Sequence, residues 1–105
     1  MFKEFGGKPR IPEELKDVFR VVITKLVKAD QLLAKIAIYD AKNTPIENTK
    51  FQKIVQHQIK KAEEELIGAE RELFKNRPDK AILRLSKAWL HAQLAIKLAT
   101  LETKP

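Results

Sequence analysis

The sequence predicts an all-α protein, an up-down-up bundle of three long antiparallel helices. Apolar residues recur every three or four positions along three stretches. Breaks at Asn43-Thr44-Pro45 and Asn76-Arg77-Pro78 separate these stretches. Connections this short place consecutive helices side by side in opposite directions. With 105 residues and 44% hydrophobic content, the chain is long enough for one domain with its own core. We assign residues 1–10 to a flexible N-terminal arm and residues 11–105 to a single helical-bundle domain.

The first helix begins after Pro12, where Glu13 and Glu14 complement the helix dipole. The β-branched run over 18–23 resembles a strand when viewed alone, but the helical period continues unbroken to Ala41. The predicted apolar face of this helix consists of Leu15, Val18, Phe19, Val22, Leu26, Ala29, Leu33, Ile36 and Ala37.

The second helix is predicted to begin at Pro45, because Thr44-Pro45-Ile46-Glu47 fits a capping box with Thr44 as the N-cap and proline at the first helical position. Gly68 lowers helix propensity, which indicates a close helix crossing at that point. The predicted apolar face consists of Phe51, Ile54, Val55, Ile59, Ala62, Leu66, Ala69, Leu73 and Phe74.

The third helix, from Pro78 to Leu101, is apolar on two opposite faces. One stripe consists of Ile82, Leu85, Ala88, Trp89, Ala92, Ile96 and Ala99. The other stripe consists of Leu83, Leu90, Leu94, Leu98 and Leu101. A surface helix of a small protein normally has one stripe. The third helix is therefore either central in the bundle or part of an interface.

The leucine stripe is the candidate partner or oligomer interface, with a second copy of the chain or a helical protein as the expected partner. Burying five leucines contributes up to about 1.5–3 kcal/mol each, which is enough to decide an oligomeric state. The sequence therefore favours a non-enzymatic interaction protein. Trp89 is expected in the core, where it fills space left by neighbouring alanines.

The alternative function is low-specificity binding of nucleic acid as a basic accessory protein. The net charge is +7, with the positive excess at the two ends of the chain. The candidate phosphate-contacting residues are Lys80, Arg84, Lys87 and His91. Phosphate binding predicts a steep loss of affinity with salt. The competing interpretation is that this basic strip is solvated or pairs with the glutamates of the second helix.

Catalytic, cofactor and metal sites are not expected. The chain has no cysteine, and neither His57 nor His91 has the glutamate three positions earlier that bundle metal sites use. Asp30 and Asp40 project near the apolar face of the first helix. They are expected either to pair with a lysine or arginine of another helix or to form a buried carboxylate site.

The composition also bears on location. No run of eighteen apolar residues exists, so no membrane span is expected, and the N-terminal residues are too polar for a signal peptide. These observations predict a cytoplasmic protein. The abundance of lysine and glutamate is typical of thermophiles.

One segment resembles a known kind of helical hairpin. It runs from Leu73 through Asn76-Arg77-Pro78 to Ile82 and continues with Leu85, Ala88-Trp89 and Ala92. This segment is similar to the alanine-rich hairpins of small archaeal proteins of unknown function and of tetratricopeptide-type interaction repeats. The resemblance covers about thirty residues. It implies a helical interaction module and assigns no functional residue.

Overall fold

The computed structural model of the protein describes residues 12–101, which form three α-helices. They are α1 (Glu13–Asn43), α2 (Gln52–Phe74) and α3 (Pro78–Ala99), with one turn of 3₁₀ helix at Thr49–Phe51 before α2. No strand occurs in this part of the chain. The prediction of an all-α three-helix bundle is therefore confirmed. The predicted arm over 1–10 lies outside the described residues.

The core is built from small buried side chains that repeat every seven residues. This spacing is the repeat of coiled-coil packing, and alanine at the contact permits short distances between helix axes. The buried rows are Val27, Ala34 and Ala41 on α1; Val55, Ala62 and Ala69 on α2; and Ala81, Ala88 and Ala95 with Leu85, Ala92 and Ala99 on α3. α3 contributes two rows because it packs against both other helices.

The buried clusters fix the direction and level of the helices. One cluster joins Val27 of α1 to Ala69 of α2 and Ala81 of α3. The other joins Ala41 of α1 to Val55 of α2, as well as to Ala95 and Ala99 of α3. α1 and α3 therefore run parallel, and α2 runs antiparallel to both, as predicted. α3 is central, because α1 and α2 contact it far more than they contact each other.

α1 is longer than the helices that it packs against. Since Val27 is level with Ala81, the start of α3 at Pro78 lies beside about Thr24. The first eleven residues of α1 (13–23, the overhang) therefore extend about 16 Å beyond the start of α3, at 1.5 Å per residue. Their apolar side chains, Val18 and Phe19 among them, are about half exposed.

The break between α2 and α3 is where the sequence predicts it. Asn76 adopts a left-handed backbone conformation with φ of 60°. The Arg77 amide donates to the Glu72 carbonyl at 2.8 Å, the bond expected of a Schellman-type helix end. Pro78 then supplies the first residue of α3.

The predicted start of the second helix is wrong. The Thr44 hydroxyl donates to the Asp40 carbonyl at 2.6 Å, so it closes α1 instead of capping α2. The Glu47 amide donates to the Ala99 carbonyl at 2.8 Å, which fastens the connection to the end of α3. α2 begins only at Gln52, seven residues later than predicted.

The predicted core faces are also partly wrong, because the helices meet on alanines and not on the bulky side chains. On α1 only Ala37 of the predicted face is buried, and on α2 Ile54 and Phe74 are exposed. On α3 the buried stripe is rotated away from Trp89, whose side chain is 44% exposed. The expectation of a core tryptophan is therefore wrong.

Candidate interaction surfaces

The outer side of α3 carries exposed leucines. Leu83, Leu90 and Leu94 are between 43 and 60% exposed and point away from the buried alanine rows on the same helix. We call these three residues the leucine surface. Leu98 and Leu101, which the sequence places in the same stripe, are partly buried. α3 is thus central in the bundle and yet keeps an apolar surface free.

The leucine surface does not support the core. The buried side of α3, which packs on α1 and α2, consists of Leu85 and alanines. It lies about half a helical turn away from the leucine surface. Large exposed apolar side chains that cluster on one side of a small protein mark interaction sites. Each of the three leucines therefore has apolar area left for a partner.

The basic strip beside the leucines is divided between two roles. Arg84 pairs with Glu65 of α2, with Nη1 to Oε1 at 3.1 Å. His91 Nδ1 lies 2.7 Å from Gln58 Oε1. Lys80 and Lys87 are exposed and have no ion-pair partner within residues 12–101. Two of the four candidate phosphate contacts are thus engaged with α2, and phosphate binding stays a prediction that depends on the two lysines.

Gly68 allows the arginine of this strip to cross α2. A Cβ atom at Gly68 would lie 2.8 Å from the Arg84 Cδ atom. The side chain therefore passes directly over the glycine to reach Glu65, with its Nε 4.0 Å from Glu72 Oε2. The close approach that the sequence indicates at Gly68 is made by a side chain and not by a helix backbone.

α1 carries a longer exposed apolar row than α3 does. Its members are spaced alternately by four and three residues, and the six larger ones are each between 47 and 54% exposed. We call this row the α1 seam. The α1 seam consists of Leu15, Phe19, Val22, Leu26, Ala29, Leu33 and Ile36. The sequence places all seven in the core, so their exposure is the largest departure from the prediction.

The α1 seam borders α3 at a small depression of about 160 Å³. Leu33 of the seam and Asp30 line one wall, and Ser86 and Trp89 of α3 line the other, with Leu85 at the contact. The indole and the α1 seam therefore belong to one face of the molecule, on the α1 side of the leucine surface.

Asp30 and Asp40 play neither predicted role. Asp40 is exposed and Asp30 is partly exposed, so neither is a buried carboxylate. Neither forms an ion pair with another described residue. The cross-helix pair in this region is made by Lys42 and Glu63. Asp40 occupies the position that would continue the α1 seam by four residues after Ile36, and the charge ends the apolar row there.

A second, larger cleft of about 480 Å³ opens where the overhang leaves the bundle. Ile23 and Val27 supply apolar wall on α1, Leu73 and Pro78 close the other side, and Arg20 and Lys28 are among the residues at its border. It lies on the other side of α1 from Leu33. No group in it is arranged for catalysis.

Within residues 12–101 no three histidine, cysteine, aspartate or glutamate side chains are grouped so as to hold a metal ion. In the same part of the chain, none of the helices combines the length and the apolar character needed to cross a membrane.

Comparisons with protein-family models, with curated proteins and with solved structures found no match to this chain.

Proposed function

We propose that this protein is a non-enzymatic interaction protein that associates, with a second copy of itself or with a helix of another protein, through the leucine surface of α3. One observation carries the proposal: the leucines are exposed although α3 is the central helix of the bundle. The alanine rows complete the core without them, so their presence is explained by a partner.

The energetics favour association. Burial of apolar surface contributes roughly 25 cal/mol per Å², so covering the exposed part of each leucine contributes on the order of 1 kcal/mol. In a two-fold contact each leucine is buried once in each copy, so its contribution to the free energy of association is doubled. The flanking Lys87 and Lys97 keep their charged ends in water while their methylene groups cover apolar surface.

Leu94→Lys is expected to weaken the association and leave the fold intact. Leu94 is 43% exposed, so a lysine there reaches water in the free chain. In an apolar contact it brings a third ammonium group next to Lys87 and Lys97 and leaves it unpaired. Size-exclusion chromatography and circular dichroism should show a smaller particle with unchanged helix content.

The matched control is Ile67→Lys, which introduces the same charge at an apolar residue of α2 that is 49% exposed and lies outside both the leucine surface and the α1 seam. This control should keep the wild-type size. If Leu94→Lys also keeps the wild-type size and helix content, the leucine surface is not a self-association surface. If Leu94→Lys unfolds the chain, the leucines belong to the core and the proposal fails.

A further inference from the structure

The α1 seam is a second apolar surface that neither the core nor the proposed contact through α3 uses. The buried residues of α1 lie on a different side of the helix, with Val27, Ala34 and Ala41 as their central row. The first three members of the seam, Leu15, Phe19 and Val22, belong to the overhang, which extends beyond the start of α3.

The spacing of the α1 seam indicates what kind of partner covers it. Alternating steps of four and three residues over three heptads are the pattern that faces another helix in a coiled coil. A flat lipid surface or a small molecule does not require a seven-residue repeat. The seam ends at Asp40, one step beyond Ile36, where a carboxylate would be costly to bury.

We infer that the α1 seam binds the α1 seam of a second copy of this chain, with the two helices antiparallel about a two-fold axis. This inference concerns a different surface from that of the proposed function and rests on the proposed function only in assuming that the protein acts by association. A two-fold interface requires a patch that complements itself, and the order of residues along the seam meets this requirement.

The self-complementarity follows from the order of side-chain sizes. When the axis passes between Leu26 and Ala29, the leucine of each copy faces the alanine of the other. Val22 then faces Leu33, and Phe19 faces Ile36, so the contact has six layers, three on either side of the axis. Large side chains opposite small ones at the centre let the layers interdigitate. Leu15 and Asp40 meet at the two ends, where the carboxylate stays in water.

The same arrangement covers the overhang. The antiparallel register sets residues 13–23 of one copy beside residues 32–42 of the other, next to the face that carries Trp89. The overhang of each copy is therefore placed to cover the depression between Leu33 and Trp89 of its partner. Nothing within residues 12–101 of a single chain does so.

The area of the contact approaches that of a stable interface. Six large side chains that are half exposed present on the order of 500 Å² per copy, and Val18 and Trp89 at the margin add to it. A standard stable interface buries about 800 Å² per partner. The α1 seam thus supplies most of the area that a specific dimer needs.

The test separates this contact from the one through α3. In the Leu94→Lys background, sedimentation equilibrium should give a dimer of the 12.1 kDa chain. Adding Leu26→Lys should give a 12.1 kDa monomer. Adding Val21→Lys instead, at a residue of α1 that is 54% exposed but lies off the seam, should leave the dimer. A Leu94→Lys variant that is already monomeric, or a Leu26→Lys double variant that stays dimeric, overturns the inference.

Disulfide crosslinking tests the orientation independently of any loss of stability. The natural chain has no cysteine, so a single introduced cysteine is the only thiol of each chain and any crosslink forms through it. A mixture of Phe19→Cys chains and size-tagged Ile36→Cys chains should crosslink on oxidation to the mixed dimer. Phe19→Cys chains alone should not crosslink. Crosslinking of Phe19→Cys with itself, or no crosslinking in the mixture, contradicts the antiparallel contact.

Discussion

Leu85→Ala is expected to lower the free energy of unfolding by about 2–5 kcal/mol. Leu85 is 1% exposed and is, with Val55, one of the two largest fully buried side chains among residues 12–101. It lies in a cluster that is otherwise made mainly of alanines, such as Ala34, Ala69 and Ala88. The alanines have no side chain that could move into the gap, so only the partly buried Leu66, Leu73 and Ile82 are available to fill part of the cavity left by the substitution. Urea denaturation followed by circular dichroism at one protein concentration measures the loss.

Leu90→Ala is the control for this prediction when both variants are compared in the Leu94→Lys background, where the leucine surface no longer associates, because it makes the same change on the same helix at a side chain that is 60% exposed. It should cost less than about 1 kcal/mol. Equal losses for the two variants would mean that both faces of α3 are buried equally, which contradicts the assignment of the core to the alanine rows.

Ala62→Leu is expected to destabilise the fold by about 3 kcal/mol, in the upper part of the range for overpacked cores. Ala62 has no exposed surface and packs in one cluster with Ala92 and Ala95 of α3. Three added carbon atoms at this point force α2 and α3 apart, and the displaced helices lose contact along the whole alanine row. The same denaturation experiment measures this effect.

Gln56→Leu adds a leucine to an exposed position of α2 and is the matched control for helix propensity and added hydrophobicity. Its stability should stay within about 0.5 kcal/mol of wild type. If Ala62→Leu is tolerated as well as Gln56→Leu, the helices are not in close contact through their alanines.

The number, direction and breaks of the helices follow from the sequence because they depend on local signals. The period of three and four residues and the break at Asn76-Arg77-Pro78 do not depend on tertiary contacts. The start of α2 was mispredicted for a physical reason. The capping-box pattern shows that the Thr44 hydroxyl is able to accept a hydrogen bond from the Glu47 amide. In the structure the hydroxyl instead donates to the Asp40 carbonyl, and the Glu47 amide donates to the Ala99 carbonyl.

Local sequence signals do not identify the core face of α1, because this helix contains two rows with the same seven-residue repeat. One row is small, with Val27, Ala34 and Ala41, and the other is the bulky α1 seam. Size alone favours the bulky row as the core. α2 and α3 present alanines at the same spacing, however, and alanine rows match best with one another. The decision therefore depends on the partner helices, which the sequence of α1 does not contain.

The candidate surfaces were predicted to different extents. The leucine surface follows from the second apolar stripe that the sequence shows on α3. Three of the five leucines in that stripe are exposed. The α1 seam was missed because its residues were assigned to the core. A signal was present: alanine rows on all three helices indicate a core of alanines, which leaves the bulky residues of α1 outside it.

The central claim is that a core of alanines leaves the bulky apolar side chains outside, as surfaces through which copies of the chain associate with one another. Sedimentation equilibrium of the wild-type chain over a range of micromolar concentrations tests it most directly. We expect a mass that is a multiple of 12.1 kDa and that decreases on dilution. A mass of 12.1 kDa at every concentration, for a chain that is helical by circular dichroism, would contradict it.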